Sequence, residues 1–352
     1  VTHQDVRQRC RADHEADDEQ EEVQLMIAKW NAAANERGDV SVDDALCGVI
    51  GPARERLCCR EFFTSESPTP LWRHLPAERA SVEPIAEAVS LGQHDVAIIM
   101  YTSGTTGLPK GAMLTHGNIL WNNINASMAF GGSRDDVILT AAPLFHIGGL
   151  NVMTIGSFHT GSAVVLMRAF DARLALKHIE RYRVTHMFGA PAMFLFMSQQ
   201  PQFGDTDLSS IDTIICGAAP VPESLIELYG KRGVPFCQGY GLTETSPFSA
   251  FLTPEFGISK LGSAGQAPLF SDTRIVDSDN RELPADERGE ICLRGPNIMK
   301  GYWNRPDATA AAIDGEGWFH SGDVGYLDDE GFLFICDRLK DMVISGGENV
   351  YP

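Results

Sequence analysis

Three short apolar runs in this chain end in loops built almost wholly from small residues. Residues 96–101 (VAIIMY) run into Thr102-Ser103-Gly104-Thr105-Thr106-Gly107, residues 211–216 into Gly217-Ala218-Ala219-Pro220, and residues 234–238 into Gly239-Tyr240-Gly241. Helix-like segments fall between them: roughly 117–129, a segment that Asp171 N-caps and that runs through Tyr182, and 222–231. A further strand reads at 184–188. Strands alternating with helices predict an α/β fold, a mostly parallel, doubly wound sheet with helices on both faces. In such sheets ligands collect at the carboxyl ends of the strands, where these loops lie.

After about residue 260 the helices fade. Short strands at 273–277, 290–294, 324–327 and 332–336 alternate with turns such as DSDN and DDEG, predicting a smaller antiparallel β-barrel or sheet. The expected organisation is an atypical, partly disordered segment 1–94, an α/β binding domain 95–259, an antiparallel β subdomain 260–336, and a tail 337–352. Within the first segment, 20–34 carries Val23, Met26, Ile27 and Trp30 at helical spacing. No internal repeat of fixed period occurs.

Charge excludes one class of partner. Against 28 Lys and Arg stand 47 Asp and Glu, a net charge of −19. That argues against a nucleic-acid binder with a basic face. Part of the imbalance is local: Asp13–Glu22 holds seven acids, leaving −12 elsewhere, and reads as a solvated stretch. No run has the length of a membrane span. None of the eight cysteines forms a CxxC pair, and Cys216, Cys292 and Cys336 lie in apolar, strand-like runs, so buried free thiols in a reducing cytoplasm are expected.

The first loop has its own chemistry. Thr102, Ser103, Thr105 and Thr106 supply four hydroxyls, Gly104 and Gly107 let backbone N–H groups turn toward an anion, and Lys110 adds a positive charge. The start of the following helix is expected to add its dipole. The spacing fits neither a Walker P-loop nor GxGxxG. An anion cradle is the sharper reading and a plain connector the other.

YTSGTTGLPKG closely resembles the phosphate loop of the adenylate-forming enzymes, the superfamily of acyl-CoA synthetases, peptide-synthetase adenylation domains and luciferases. The resemblance continues in order through Pro143-Leu144-Phe145-His146, Gly217-Ala218-Ala219-Pro220, Gly239-Tyr240-Gly241-Leu242-Thr243-Glu244 and Gly301-Tyr302-Trp303-Asn304-Arg305-Pro306. It ends with Trp318-Phe319-His320-Ser321-Gly322-Asp323, Asp337-Arg338-Leu339-Lys340-Asp341 and Ser345-Gly346-Gly347-Glu348-Asn349. Seven ordered motifs, the last running from Asp337 through Asn349, over about three quarters of the chain are specific where one is weak.

The resemblance implies ATP, Mg2+ and CoA as co-reactants of a small-molecule carboxylic acid. Thr102–Thr106 and Lys110 would hold the β- and γ-phosphates. An opposite charge at 4 Å is worth about 4 kcal/mol at an effective dielectric near 20, so local placement outweighs a net charge of −19. Glu244 would bind Mg2+ through a hard carboxylate oxygen, and Thr243 would bond the α-phosphate. Tyr240 would stack on adenine, with Gly217–Pro220 along its other edge and Gln238 to Leu242 around it. Asp323 would accept from the ribose hydroxyls, reinforced by Arg338. His146, Ile147 and Gly148 would border the acid pocket. Amino-acid-activating relatives place an aspartate after the corresponding aromatic residue. Here Ile147-Gly148-Gly149 stands instead, so a cationic amine would lack its partner. An uncharged-tail acid, fatty or aryl, is therefore expected. Met153, Phe188, Phe194 and Phe196 fit an apolar tunnel for it.

Two departures qualify this reading. The chain stops at Pro352, just past a hinge matching Lys340, so the C-terminal domain and its charge-neutralising lysine are expected to be missing. Gly346 and Gly347 would otherwise swing to the CoA pantetheine. Such a loss costs about 10²–10³ in rate. Residues 1–94 also do not resemble the usual family opening. The expected function is an ATP-dependent acyl-CoA ligase, truncated and impaired in turnover. The alternatives are an enzyme loading a carrier protein, a luciferase-like oxygenase and a non-catalytic nucleotide-binding remnant.

Overall fold

The computed structural model describes strand pairs at residues 63–64 and 73–74, then residues 90–102, 109–338, 343–345 and 348–350, with side chains over 90–102 and 109–336. The chain divides into two units, Val1–Ser90 and Leu91–Pro352. In the first, β1 (Phe63–Thr64) and β2 (Arg73–His74) pair in parallel. The predicted helix over 20–34 and the acidic stretch lie outside the described residues.

The second unit opens with β3 (Val96–Thr102) and β4 (Lys110–Thr115), which pair antiparallel from Val96↔Thr115 to Thr102↔Lys110. The loop 103–109 is therefore a hairpin connection, not the carboxyl end of a parallel strand. Helix α1 (His116–Phe130) begins only after β4, capped reciprocally by Thr115 and Asn118. The six residues of β4, Lys110–Thr115, separate the loop from the helix start, so the helix does not follow the loop directly. That corrects the expected helix-start contribution.

The parallel sheet follows the alternating pattern. Its elements are β5 (Val137–Thr140), α2 (Ile147–Asn151), α3 (Thr154–Thr160), β6 (Ala163–Leu166), α4 (Ala172–Tyr182), β7 (His186–Gly189), α5 (Pro191–Ser198), β8 (Thr213–Gly217), α6 (Glu223–Gly230), β9 (Phe236–Gly241) and β10 (Phe248–Leu252). The order is β10-β9-β8-β7-β5-β6, parallel except for the β9–β10 hairpin. Asp171 caps α4 as predicted, accepting from Leu174 N at 2.7 Å. Neighbours Ile214 and Ile215 are both fully buried yet join different cores, because consecutive strand residues face opposite sides of the sheet. Ile214 packs with Leu176 and Ile179 of α4, Phe194 of α5 and Tyr229 of α6. Ile215 packs with Phe248 and Phe251, near Ala126 and Phe130 of α1. Helices thus cover both faces.

The last part holds β11 (Asp272–Val276), β12 (Gly289–Arg294), β13 (Gly301–Tyr302), α7 (Pro306–Ala312), β14 (Phe319–Leu327), β15 (Leu333–Arg338), β16 (Val343–Ser345) and β17 (Glu348–Val350). Strands β11-β12-β14-β15 form an antiparallel sheet, and β13 completes β13-β4-β3. Met100, Ala112 and Leu114 of the first hairpin share a core with Ile275, Ile291, Leu293 and Phe319. This core draws on residues from both sides of position 260, so the predicted boundary there runs through a shared hydrophobic cluster. Cys216, Cys237 and Cys292 are buried, but Cys336 is exposed, correcting the expectation for that thiol.

Candidate functional site

The β9–β10 hairpin carries Glu244, and the way it is held defines the site. Gly241 must be glycine, since a Cβ there would collide with the Pro247 carbonyl. Beyond it a 3-10 turn, Thr243–Thr245, buries Glu244 and leaves Thr243 half-buried. A relay of asparagines holds this turn from behind. Asn118 of α1 donates to the carbonyls of Pro296 and Ile298 at 2.8 and 2.7 Å. Asn297 between them donates to the carbonyls of Thr245 and Phe248, both at 2.8 Å. Met299 N then donates to the Glu244 carbonyl at 2.7 Å.

Two hydroxyls from distant segments reach the Glu244 carboxylate, and an ammonium lies against the ring that carries one of them. Tyr302 Oη donates to Oε1 at 2.8 Å, and Thr102 Oγ1 reaches the same oxygen at 3.4 Å. Lys110 Nζ lies 4.3 Å from the centre of the Tyr302 ring. Burial first, and then the Glu244 carboxylate, pushes the Tyr302 hydroxyl well above its ordinary pKa. Tyr302 therefore stays a proton donor to Glu244. Thr102, Lys110 and Glu244 were expected together on sequence grounds; Tyr302 was not assigned a role. Its signal in the sequence is the Gly301-Tyr302-Trp303 motif. A carboxylate beside a hydroxyl is a hard-oxygen set that fits Mg2+, and the ammonium of Lys110 near the Tyr302 ring suits a phosphate chain.

The residues expected to hold the nucleoside come next. Tyr240 Oη donates to Asp323 Oδ2 at 2.6 Å, and Asp323 is 98% buried, with 2% of its surface exposed. A carboxylate has acceptor capacity beyond one hydroxyl bond, so the pairing is compatible with ribose recognition. On β14 and β15, Asp323 and Arg338 stand directly opposite each other. Gly217 and Gly239 are likewise paired on β8 and β9, and a Cβ on Gly217 would lie 2.8 Å from the Gly239 carbonyl oxygen. Next to it Ala218 adopts a left-handed φ of 67° and is exposed, with Ala219 half-buried and Pro220 exposed. Gln238 is buried on β9, while Leu242 is half-buried.

One further cluster braces Asp323. Glu290 Oε2 pairs with His320 Nδ1 at 2.8 Å, and Glu290 Oε1 accepts from Gly322 N at 3.1 Å. Cys292 Sγ lies 3.4 Å from the same His320 nitrogen. These three side chains have metal-ligand chemistry. Their hydrogen bonds already account for them, by fixing the backbone just ahead of Asp323.

Of the residues expected to border the acid pocket, Gly148 lies on a cleft. Gly148 and Gly149 line a cleft with Ile138, Leu139, Thr140, Met153 and Phe188. A Cβ on Gly148 would come within 2.8 Å of the Phe188 ring. His146 caps the start of α2, exposed, with its ring 4.7 Å from that of Phe145. Three expectations fail. Ile147 turns into the core shared with the first hairpin. Phe194 is fully buried among Tyr229 and Phe236, and Phe196 is exposed. Helix α5 buries one face only, so neighbouring phenylalanines cannot both serve a tunnel. Ser103, Gly104, Thr105, Thr106, Gly107, Lys340, Gly346 and Gly347 lie outside the described residues, as does the Arg338 side chain.

Among the described residues no helix is long and apolar enough to cross a membrane. The profile of the family described as AMP-binding enzyme matches residues 9–303, reaching well into the segment that its motifs alone had set apart. Feruloyl-CoA synthase of an Amycolatopsis species is 47% identical over 262 residues, 74% of this chain and 53% of the relative. Indoleacetate–CoA ligase of Aromatoleum aromaticum is 45% identical over 262 residues, 74% of this chain and 51% of the relative. The chain thus spans about half the length of these relatives. The N-terminal domain of FACL13 from Mycobacterium tuberculosis, solved with an inhibitor, superposes with a TM-score of 0.75 at 33% identity, covering 84% of this chain and 72% of that one. The chain belongs to the AMP-binding enzyme family.

Proposed function

We propose that this chain binds Mg-ATP and a carboxylic acid and forms the activating half of an ATP-dependent acyl-CoA ligase. The observation that carries the reading is the buried Glu244 carboxylate, which meets Thr102, Tyr302 and, through the Tyr302 ring, Lys110. Thr102, Lys110 and the loop between them hold the β- and γ-phosphates, and Glu244 holds Mg2+, which neutralises phosphate charge. Thr243 bonds the α-phosphate, Asp323 the ribose, and Tyr240 the adenine. A carboxylate oxygen of the acid attacks the α-phosphorus, the bond to the bridging oxygen breaks, and pyrophosphate leaves with that electron pair. The CoA thiol then displaces AMP from the acyl carbon. Orientation and fixed charge carry the first step, so it needs no enzyme nucleophile.

The acid carries no cationic amine, because Ile147-Gly148-Gly149 supplies no carboxylate to pair with one. The relatives named for feruloyl-CoA and indoleacetate favour an aryl acid over a fatty one. Calorimetric titration with non-hydrolysable acyl-adenylate analogues tests this reading. Micromolar binding, tighter for an aryl than for a long-chain analogue, is expected. A folded protein that binds neither analogue contradicts it.

A further inference from the structure

One short segment grips Glu244 at both ends. Met299 N donates to its carbonyl at 2.7 Å, and Tyr302 Oη donates to its carboxylate at 2.8 Å. The segment itself is firmly held. Gly301 and Tyr302 pair with Met113 and Ala112 of β4, the strand that begins at Lys110. Tyr302 N donates to Thr309 Oγ1 at 2.9 Å, and Trp303 N donates to the Gly111 carbonyl at 2.8 Å. Tyr302 is buried in the core that Met100, Ala112 and Leu114 share with the antiparallel sheet. Its hydroxyl therefore has little freedom to point elsewhere.

The place it points to is informative. Among the described residues, the side-chain hydrogen bonds to the Glu244 carboxylate come from Tyr302 and Thr102, and both fall on Oε1. A carboxylate oxygen has room for about two donors, so Oε1 is filled and Oε2 is the oxygen turned to a cation. A phenol suits this task, because it fixes the carboxylate without cancelling its charge as a lysine or arginine would. The face of the same ring meets Lys110, whose Nζ lies 4.3 Å from the ring centre.

We propose that Tyr302 is a positioning residue that ties the metal arm of the site to its phosphate arm: its hydroxyl holds Glu244 by Oε1 so that Oε2 meets Mg2+, and its ring seats Lys110. This rests on the Mg-ATP reading and deepens it. A hydrogen-bond partner behind a metal ligand is worth about 10–100-fold in metal affinity.

The test is calorimetric titration of the whole chain with α,β-methylene-ATP over a series of Mg2+ concentrations, and with AMP in the absence of metal. Tyr302→Phe keeps the ring and removes only the hydroxyl. The Mg2+ concentration that half-tightens the ATP analogue is expected to rise at least tenfold, while AMP affinity stays at the wild-type value. In a Glu244→Gln background the same substitution should cause no further loss, since Tyr302 acts through that carboxylate. Tyr302→Met withdraws the hydroxyl with a side chain that adapts to the core, and should shift the Mg2+ requirement in the same direction even if the phenylalanine variant does not fold. An unchanged Mg2+ requirement in either folded variant, a further loss in the Glu244→Gln background, or equal weakening of AMP and the ATP analogue overturns the proposal while leaving the nucleotide site intact. A wild type that binds AMP but gains nothing from Mg2+ overturns the metal role of Glu244 itself. Folded wild type that binds neither ligand overturns the parent reading.

Discussion

The two sides of the molecule are built on different principles. Around the parallel sheet, Leu176, Ile179, Phe194, Met197 and Tyr229 are fully buried, and the Tyr229 hydroxyl finds the Phe194 carbonyl at 2.9 Å. Where the first hairpin meets the antiparallel sheet, the apolar core is joined by the buried polar side chains of Glu244, Asp323, Asn118 and Asn297. Apolar burial stabilises in proportion to area and tolerates many sequences. Buried polar groups add little net stability but admit few geometries. The parallel side is thus a platform and the polar seam a positioning device, and the residues proposed to hold the ligand lie in the seam.

Substitutions on the two sides should separate accordingly. The largest effect belongs to the platform. Phe194→Ala empties a site contacting Tyr229 and Phe236, and urea unfolding should show a loss of about 3–5 kcal/mol. Adenylate affinity should be kept in whatever fraction stays folded. In the seam, Asn297→Ala strands the carbonyls of Thr245 and Phe248 and the Ser271 hydroxyl. A cost of about 2 kcal/mol is expected, together with weaker nucleotide binding, because Glu244 rides on that turn. If affinity is unchanged, the relay through Asn297 does not position Glu244.

A smaller effect comes with pH. Burial pushes the Cys292 thiol up to about 12, helped by Glu290. A raised folded-state value means that stability is complete below the unfolded thiol's pKa of about 8.5 and falls as pH rises toward the folded value. Between pH 8 and pH 10 the wild type should lose stability. Cys292→Ala should lose about 1–2 kcal/mol less over the same interval. Equal losses would show that this thiol does not couple to folding. Smallest of all is the exposed Lys231–Glu227 pair at 3.3 Å: Lys231→Ala should change unfolding by no more than about 0.5 kcal/mol.

The same contrast explains what could be read from the sequence. The parallel side was legible, because its strands are apolar, its helices periodic and its cap at Asp171 conventional. The motif residues of the seam were legible as a set through their order along the chain. Their mutual geometry was not. Lys110–Thr115 reads as a loop flank, and only its pairing with Val96–Thr102 makes it a strand. Tyr302 lies 58 residues from the carboxylate it holds, and the asparagine relay joins positions 118 and 296. No local spacing encodes such contacts. Phe194 and Phe196 show the converse limit: composition suggested a tunnel, and the rotation of one helix decided that one is core and the other surface.

The most direct measurement pairs Mg-ATP calorimetry with urea unfolding on wild type and Glu244→Gln. An amide oxygen can still accept from Tyr302 and Thr102, so stability should stay within about 1 kcal/mol of wild type. Affinity for Mg-ATP should fall at least tenfold, because the anionic ligand is gone. Unchanged affinity at unchanged stability would contradict the account, leaving Glu244 as a buried structural carboxylate rather than the centre of a nucleotide site.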